Sequence, residues 1–194
     1  MADLELQCAC GQVQGTLTNA NANNGNRVVC CCHSCQTFAN HLGKGSEVLD
    51  AYGGTDIYQT SQSQVFFQKG QDQLRCLRLT RKGLTRWYTD CCKTPVANTA
   101  SAGMPFAGLL HSIFKEPDQY EAAFGTVRAH VQLQDAIGDP NYPNGADKYP
   151  LGITLRIMRL MLGWKIRGMQ TPSVFFGSDG RPVVKPEIIN EQTS

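Results

Sequence analysis

Apolar and polar positions alternate through much of the first two thirds of the chain, the two-residue period of half-buried strands. Leu4 and Leu6 alternate with acidic neighbours up to Cys8, and Val13, Gly15 and Leu17 alternate after Gly11. The Asn-rich tract 19–26 contains Asn24-Gly25, so a hairpin is expected there. Arg27 to Cys32 reads as a strand and Cys35 to Leu42 as one short helix. Further strands are predicted at Asp56–Thr60, Gln64–Gln68, Gln73–Thr80, Leu84–Thr89, Phe106–Phe114 and Val127–Leu133.

The last third has a different pattern. Asp139 to Pro150 is a Pro/Gly/Asn loop of the length that often carries function. Leu151 to Gly168 is the one long helix expected, with Leu151, Leu155, Met158, Leu162, Ile166 and Met169 on one face. That stripe and Trp164 are expected to pack inward. Arg156, Arg159 and Arg167 share a face opposite much of the stripe, a surface suited to an acidic partner or anionic lipid. Ser178-Asp179-Gly180 predicts a hairpin between Val174–Phe176 and Pro182–Val184. The pattern predicts one mainly β domain over residues 1–194, with short helices and a C-terminal loop, helix and hairpin at 139–194.

Composition narrows the function classes. A chain of 194 residues with 41% hydrophobic and 18% charged positions is long enough for one substantial core. A net charge of +2 argues against a nucleic-acid partner, which needs a concentrated basic surface. The first residues have neither a basic nor an apolar leader segment, and no apolar run reaches transmembrane length. A cytoplasmic protein is therefore expected, with its nine cysteines reduced. The sequence gives no oligomeric state.

Those cysteines carry the chemistry. Eight of the nine fall in three clusters: Cys8-Ala9-Cys10, Cys30-Cys31-Cys32-His33-Ser34-Cys35, and Cys91-Cys92. Such spacing suits soft-metal ligation, with zinc the default ion for thiolate sites. Alternate residues of a strand point the same way, so Cys30 and Cys32 converge while Cys31 points elsewhere. Cys35 follows at a two-residue gap, completing a local set of three. Three ligands leave a tetrahedral ion one short, the mark of a catalytic or ligand-binding site; His33, His41 or a distant cysteine is the alternative that closes it. Cys8 and Cys10 supply two ligands, and Cys91 and Cys92 are the obvious partners if a tight turn at Asp90–Lys93 brings both in. One of that pair as a plain buried thiol is the alternative. Cys76 is expected in the core. His111 and His130 are expected as core or surface histidines rather than bases.

C-x-C-G-x-V, then C-x-C-x-x-C at a strand-to-helix junction, then C-x-T-P after an aromatic strand, resembles the glutathione-dependent formaldehyde-activating enzyme (GFA) family over about residues 4–114. The resemblance implies a Mss4-like β-tent fold and two Zn2+ sites. The structural one takes Cys8, Cys10 and Cys92. The one at the active site takes Cys30, Cys32 and Cys35, which the resemblance makes the catalytic residues. The family pattern places a cysteine at 89 and a glycine at 93, where this chain has Thr89 and Lys93; Cys91 is the candidate replacement ligand. The implied reaction is of the carbon–sulfur lyase type, on a thiol–aldehyde adduct such as S-hydroxymethylglutathione. The alternatives are a zinc-bearing glutathione or thiol carrier without turnover and a zinc-stabilised interaction module. Glutathione is anionic, so Arg75, Arg78 and Arg86 are candidates to line its cleft.

Overall fold

The computed structural model describes residues 2–189; Met1 and residues 190–194 of the expected domain lie outside the described residues. The chain opens with β1 (Ala2–Gln7), β2 (Gln14–Ala20), β3 (Asn26–Cys30), α1 (His33–His41) and α2 (Gly45–Val48). There follow β4 (Thr55–Thr60), β5 (Val65–Lys69), β6 (Leu74–Arg78), β7 (Thr85–Thr89), β8 (Pro95–Thr99) and β9 (Ala107–Leu110). The rest is α3 (Pro117–Phe124), β10 (His130–Val131), β11 (Gly145–Ala146), α4 (Leu151–Ile166) and β12 (Glu187–Ile188). The protein is thus mainly β, with short helices and one C-terminal helix.

The strands form a three-stranded sheet, β1-β2-β5, and a nine-stranded sheet, β11-β10-β3-β4-β9-β8-β7-β6-β12. From β3 to β6 the large sheet is antiparallel. The two-residue strands β10, β11 and β12 join it in parallel. Leu4, Leu6 and Leu17 of the small sheet share one core with Tyr58, Trp87, Val96 and Leu109 of the large one. Burying each such side chain stabilises the fold by roughly 1.5–3 kcal/mol. The alternation along β1 and β2 is therefore a core-facing pattern, with Glu5 left outside.

A buried ion pair ties α3 to this frame. Arg27 on β3 meets Asp56 on β4 at 2.7 Å, and donates to the Gly125 carbonyl at 2.7 Å just past α3. Tyr120 of α3 donates to Asp56 at 2.6 Å. With its oxygens so engaged, Asp56 compensates the buried guanidinium.

Several elements differ from the sequence pattern. Asn24-Gly25 does not turn a hairpin: β2 pairs with β1 and β5, whereas β3 pairs with β4 and β10. The Asn tract instead links the sheets, with the Asn21 and Asn24 side chains accepting nearby backbone N–H groups and the Tyr58 hydroxyl donating to the Asn21 carbonyl. The expected strand 106–114 stops at Leu110, where a 3-10 turn begins at His111. Of 127–133, only His130–Val131 forms a strand. Of the hairpin expected around Ser178-Asp179-Gly180 the turn is present, closed by the Gly177 N–H on the Arg181 carbonyl, but 174–176 and 182–184 form no strands and meet only at the single bridge Phe176–Pro182. Cys76 is buried, as its strand context predicts.

The largest correction concerns α4. Its apolar stripe faces out: Leu151 is 73% exposed and Ile166 77%. Arg156 faces in, donating to the Ala22 carbonyl at 2.7 Å and the Gly25 carbonyl at 2.9 Å. These carbonyls belong to the linking turn, so the helix is held by an arginine on backbone and by Trp164, which is fully buried. Among the described residues no helix is long and apolar enough to cross a membrane.

Candidate metal centres

The sulfurs of Cys8, Cys10, Cys91 and Cys92 lie within 4.8 Å of one another. Cys8 and Cys10 occupy the turn after β1, which Gly11 closes at φ +75° with its N–H on the Cys8 carbonyl. Cys91 and Cys92 occupy the turn between β7 and β8, closed by Lys93 N–H to Thr89 carbonyl at 2.8 Å and Thr89 N–H to Thr94 carbonyl at 3.0 Å. Lys93 has φ +57°, a left-handed conformation that glycine adopts without penalty and lysine does not. Its ammonium pairs with Asp90 at 2.6 Å.

The two turns are stitched together directly, since the Ala9 N–H donates to the Thr94 hydroxyl at 3.0 Å. The Thr94 hydroxyl also lies 3.1 Å from the Cys92 sulfur. Thr89 supplies no sulfur, but its hydroxyl sits 3.4 Å from Cys92. Cys91 is the fourth sulfur of the set. Burial pushes the Cys8 thiol up, and takes Cys91 to about 12. Burial also acts on Cys92, but hydrogen bonds with Thr89 and Thr94 and from the Cys10 and Thr94 backbone outweigh it and hold the thiol at about 5.

Cys30, Cys32 and Cys35 form the second set, again within 4.8 Å. Cys30 ends β3, Cys32 precedes α1 and Cys35 lies in its first turn, with its N–H on the Cys32 carbonyl at 2.9 Å. The helix begins two residues before the expected start at Cys35, so the third sulfur rides on helical backbone. Cys31 is buried and outside the set, as strand alternation predicts. Among the described residues no histidine or carboxylate joins the three sulfurs, so neither His33 nor His41 closes the set.

Arg86 of β7 is 4% exposed and points at these sulfurs. One guanidinium nitrogen lies 3.8 Å from the Cys35 sulfur and 3.2 Å from Asn98 Oδ1, and the group sits 5.5 Å over the Phe38 ring. Hydrogen bonding from Cys30 and Cys32, with the Arg86 charge beside it, holds the Cys35 thiol well below its ordinary value. Cys30, which shares those hydrogen bonds, is pushed up. Arg86 thus sets a buried positive charge against the Cys35 sulfur. Of the three candidate arginines only Arg86 reaches sulfur: Arg75 pairs with Asp90 at 3.0 Å and Arg78 donates to the Thr85 hydroxyl at 3.0 Å.

Sequence reasoning missed Asn98 and Tyr149. Tyr149 packs against the cluster that contains Cys30 and Cys35, and burial followed by the charge of those cysteines pushes its phenol up. The only signal for it was an aromatic residue in a polar loop, one position before Pro150. His111 lines a cavity of about 450 Å³ with Arg27, Val29, Asp56 and Tyr120. Arg27 and Val29 alternate with Val28 and Cys30 along β3, so this cavity opens on the opposite face from the three sulfurs. His130 stacks on Tyr142 at 3.9 Å, also outside both sulfur sets.

The model of a family described as "Family of unknown function (DUF6151)" matches residues 2–187. No curated protein matches the chain. Among solved structures the chain is similar to a Rhodobacter sphaeroides protein from a structural genomics programme, with 16% identity and a TM-score of 0.41 over 64% of this chain and 97% of that one.

Proposed function

The chain belongs to the family of unknown function DUF6151, and from that footing we propose that it is a two-zinc protein of the GFA type, acting on a thiol–aldehyde adduct such as S-hydroxymethylglutathione. The observation that carries this reading is the contrast between a set of four sulfurs and a set of three. A four-thiolate set is complete for a tetrahedral ion, whereas three thiolates leave a position for a ligand. The donor sets fit zinc. Sulfurs of the first set are 3.6 Å apart for Cys8–Cys10 and 3.8 Å for both Cys8–Cys91 and Cys91–Cys92. Zinc–sulfur bonds of about 2.3 Å in a tetrahedron call for sulfur–sulfur edges of about 3.8 Å.

In this reading Cys8, Cys10, Cys91 and Cys92 hold a structural ion, and Cys30, Cys32 and Cys35 hold the one at the reacting site. The second ion would supply thiolate activation and polarisation of a carbonyl. The protein's own residues do the rest. Three thiolates and one divalent cation carry a net charge of −1, and Arg86 neutralises it, which favours an incoming thiolate. Arg86 is also the one cation of the expected cleft that stands at the sulfurs. The half-buried Tyr149, packed against the cluster that holds Cys30 and Cys35, is the candidate proton-bearing group for the oxygen of the adduct. The whole chain acts as one domain, with the motif core over about residues 4–114, and the physiological setting is the reducing cytoplasm.

Elemental analysis with a glutathione titration tests this. Two zinc ions per chain and a glutathione-dependent change at one of them are expected. One zinc per chain, or no response to glutathione, overturns the reading. If glutathione binds but loss of formaldehyde proceeds at the uncatalysed rate, the protein is a thiol carrier and not a lyase.

A further inference from the structure

An α-helix that is apolar on nearly all sides is normally buried. In α4, ten of sixteen residues are large and apolar (LGITLRIMRLMLGWKI), yet Trp164 alone is fully buried. Leu151, Leu155, Met158, Leu162 and Ile166 are each more than half exposed. Their spacing of four, three, four and four residues aligns them in one stripe along a helix about 24 Å long. Met104, 40% exposed, extends the patch, since its neighbour Gly103 accepts from the Lys165 ammonium at 2.7 Å.

Charge says what covers this stripe. At 100° per residue, Arg159 borders it on one side and Lys165 on the other. Arg167 follows at the helix end, and residues 151–167 contain no Asp or Glu. A second copy of the same face would set these cations against each other with no carboxylate to pair them. The stripe is also aliphatic throughout, whereas protein interfaces concentrate their energy in Trp, Tyr and Arg anchors. The one tryptophan of α4 points into the body instead. An aliphatic strip flanked by cations matches a bilayer interface bearing anionic headgroups. At sixteen residues the helix is too short to span one.

We propose that α4 seats this protein on an anionic lipid surface, with Leu151, Leu155, Met158, Leu162 and Ile166 entering the acyl boundary and Arg159 and Lys165 meeting headgroups. The helix is already folded and held to the body by Trp164 and Arg156, so binding does not have to fold it.

Co-sedimentation with phosphatidylcholine vesicles, with or without one quarter phosphatidylserine, tests this. At least tenfold stronger binding to the anionic vesicles is expected, weakening as salt rises from about 0.1 M to about 0.5 M. Leu155→Ser with Leu162→Ser should lose binding at least tenfold, and Arg159→Glu several-fold. Unchanged metal content in both variants establishes that they fold. Failure of the wild-type protein to bind either vesicle overturns the proposal, as does equal binding to both. Light scattering that finds a dimer dissolved by Leu155→Ser/Leu162→Ser assigns the face to a second copy instead.

Discussion

The two sulfur sets use the same atoms for opposite architectural ends. One joins turns 83 residues apart, Cys8 to Cys91, and is stitched at its rim by the Ala9–Thr94 hydrogen bond. The other lies within six residues at a single strand-to-helix junction. Metal binding at a site spread over distant chain is folding free energy, because closing the long loop costs entropy that the ion offsets. Metal binding at a local site constrains little chain, so its loss costs the fold less. On the proposed reading, a set's span in sequence adds to its ligand count in separating a fastening from a working part.

The largest expected effect comes from cutting the fastening. Cys10 is exposed, so Cys10→Ser removes a ligand without disturbing the core. Total stability is about 5–15 kcal/mol, and the variant should be insoluble or melt more than about 10 °C lower, by scanning calorimetry. A Cys10→Ser protein that melts like wild type would erase the contrast. Next comes the local site: Cys32→Ser should lose one zinc and the glutathione response while its melting temperature moves by less than about 5 °C. A collapse of Cys32→Ser beside a stable Cys10→Ser would exchange the two roles.

Smaller effects sharpen the contrast. Arg86→Gln removes the cation that offsets the three thiolates, so chelator competition should extract the second zinc about tenfold more readily while the first stays. Equal loss from both sites would mean that Arg86 serves general packing. The smallest effect is expected at Cys31, which is buried just past β3 and stands outside the sulfur set. Cys31→Ser should keep both ions and cost about 1–2 kcal/mol for the buried hydroxyl, a fall of a few degrees. Zinc loss from Cys31→Ser alone would mean that the register of β3 is wrong by one residue.

Local rules made the sulfur sets readable. Strand alternation grouped Cys30 with Cys32 and excluded Cys31, and the short spacing brought in Cys35. What remained hidden depends on tertiary neighbours. β8 is buried at all five positions and starts on Pro95, so it has no alternation to read. Arg86 lies on β7, which is likewise buried throughout, and only folding reveals that its guanidinium ends at Cys35. The periodicity of α4 located its apolar stripe but not the direction in which it faces. Backbone carbonyls at Ala22 and Gly25 decide that by accepting Arg156, a partner no helical pattern encodes.

The large sheet ends on both sides in strands of two residues, β11 and β12. β12 lies along β6, pairing Glu187 with Leu77 and Ile188 with Arg78, after a long excursion through α4. A sheet this wide with long bare margins would recruit further chains into cross-strand polymers, and short terminal strands leave little template for that growth. Residues 187–188 thus act as a selvedge, and truncating the chain before Glu187 would uncover β6 and invite aggregation even with both metal centres intact.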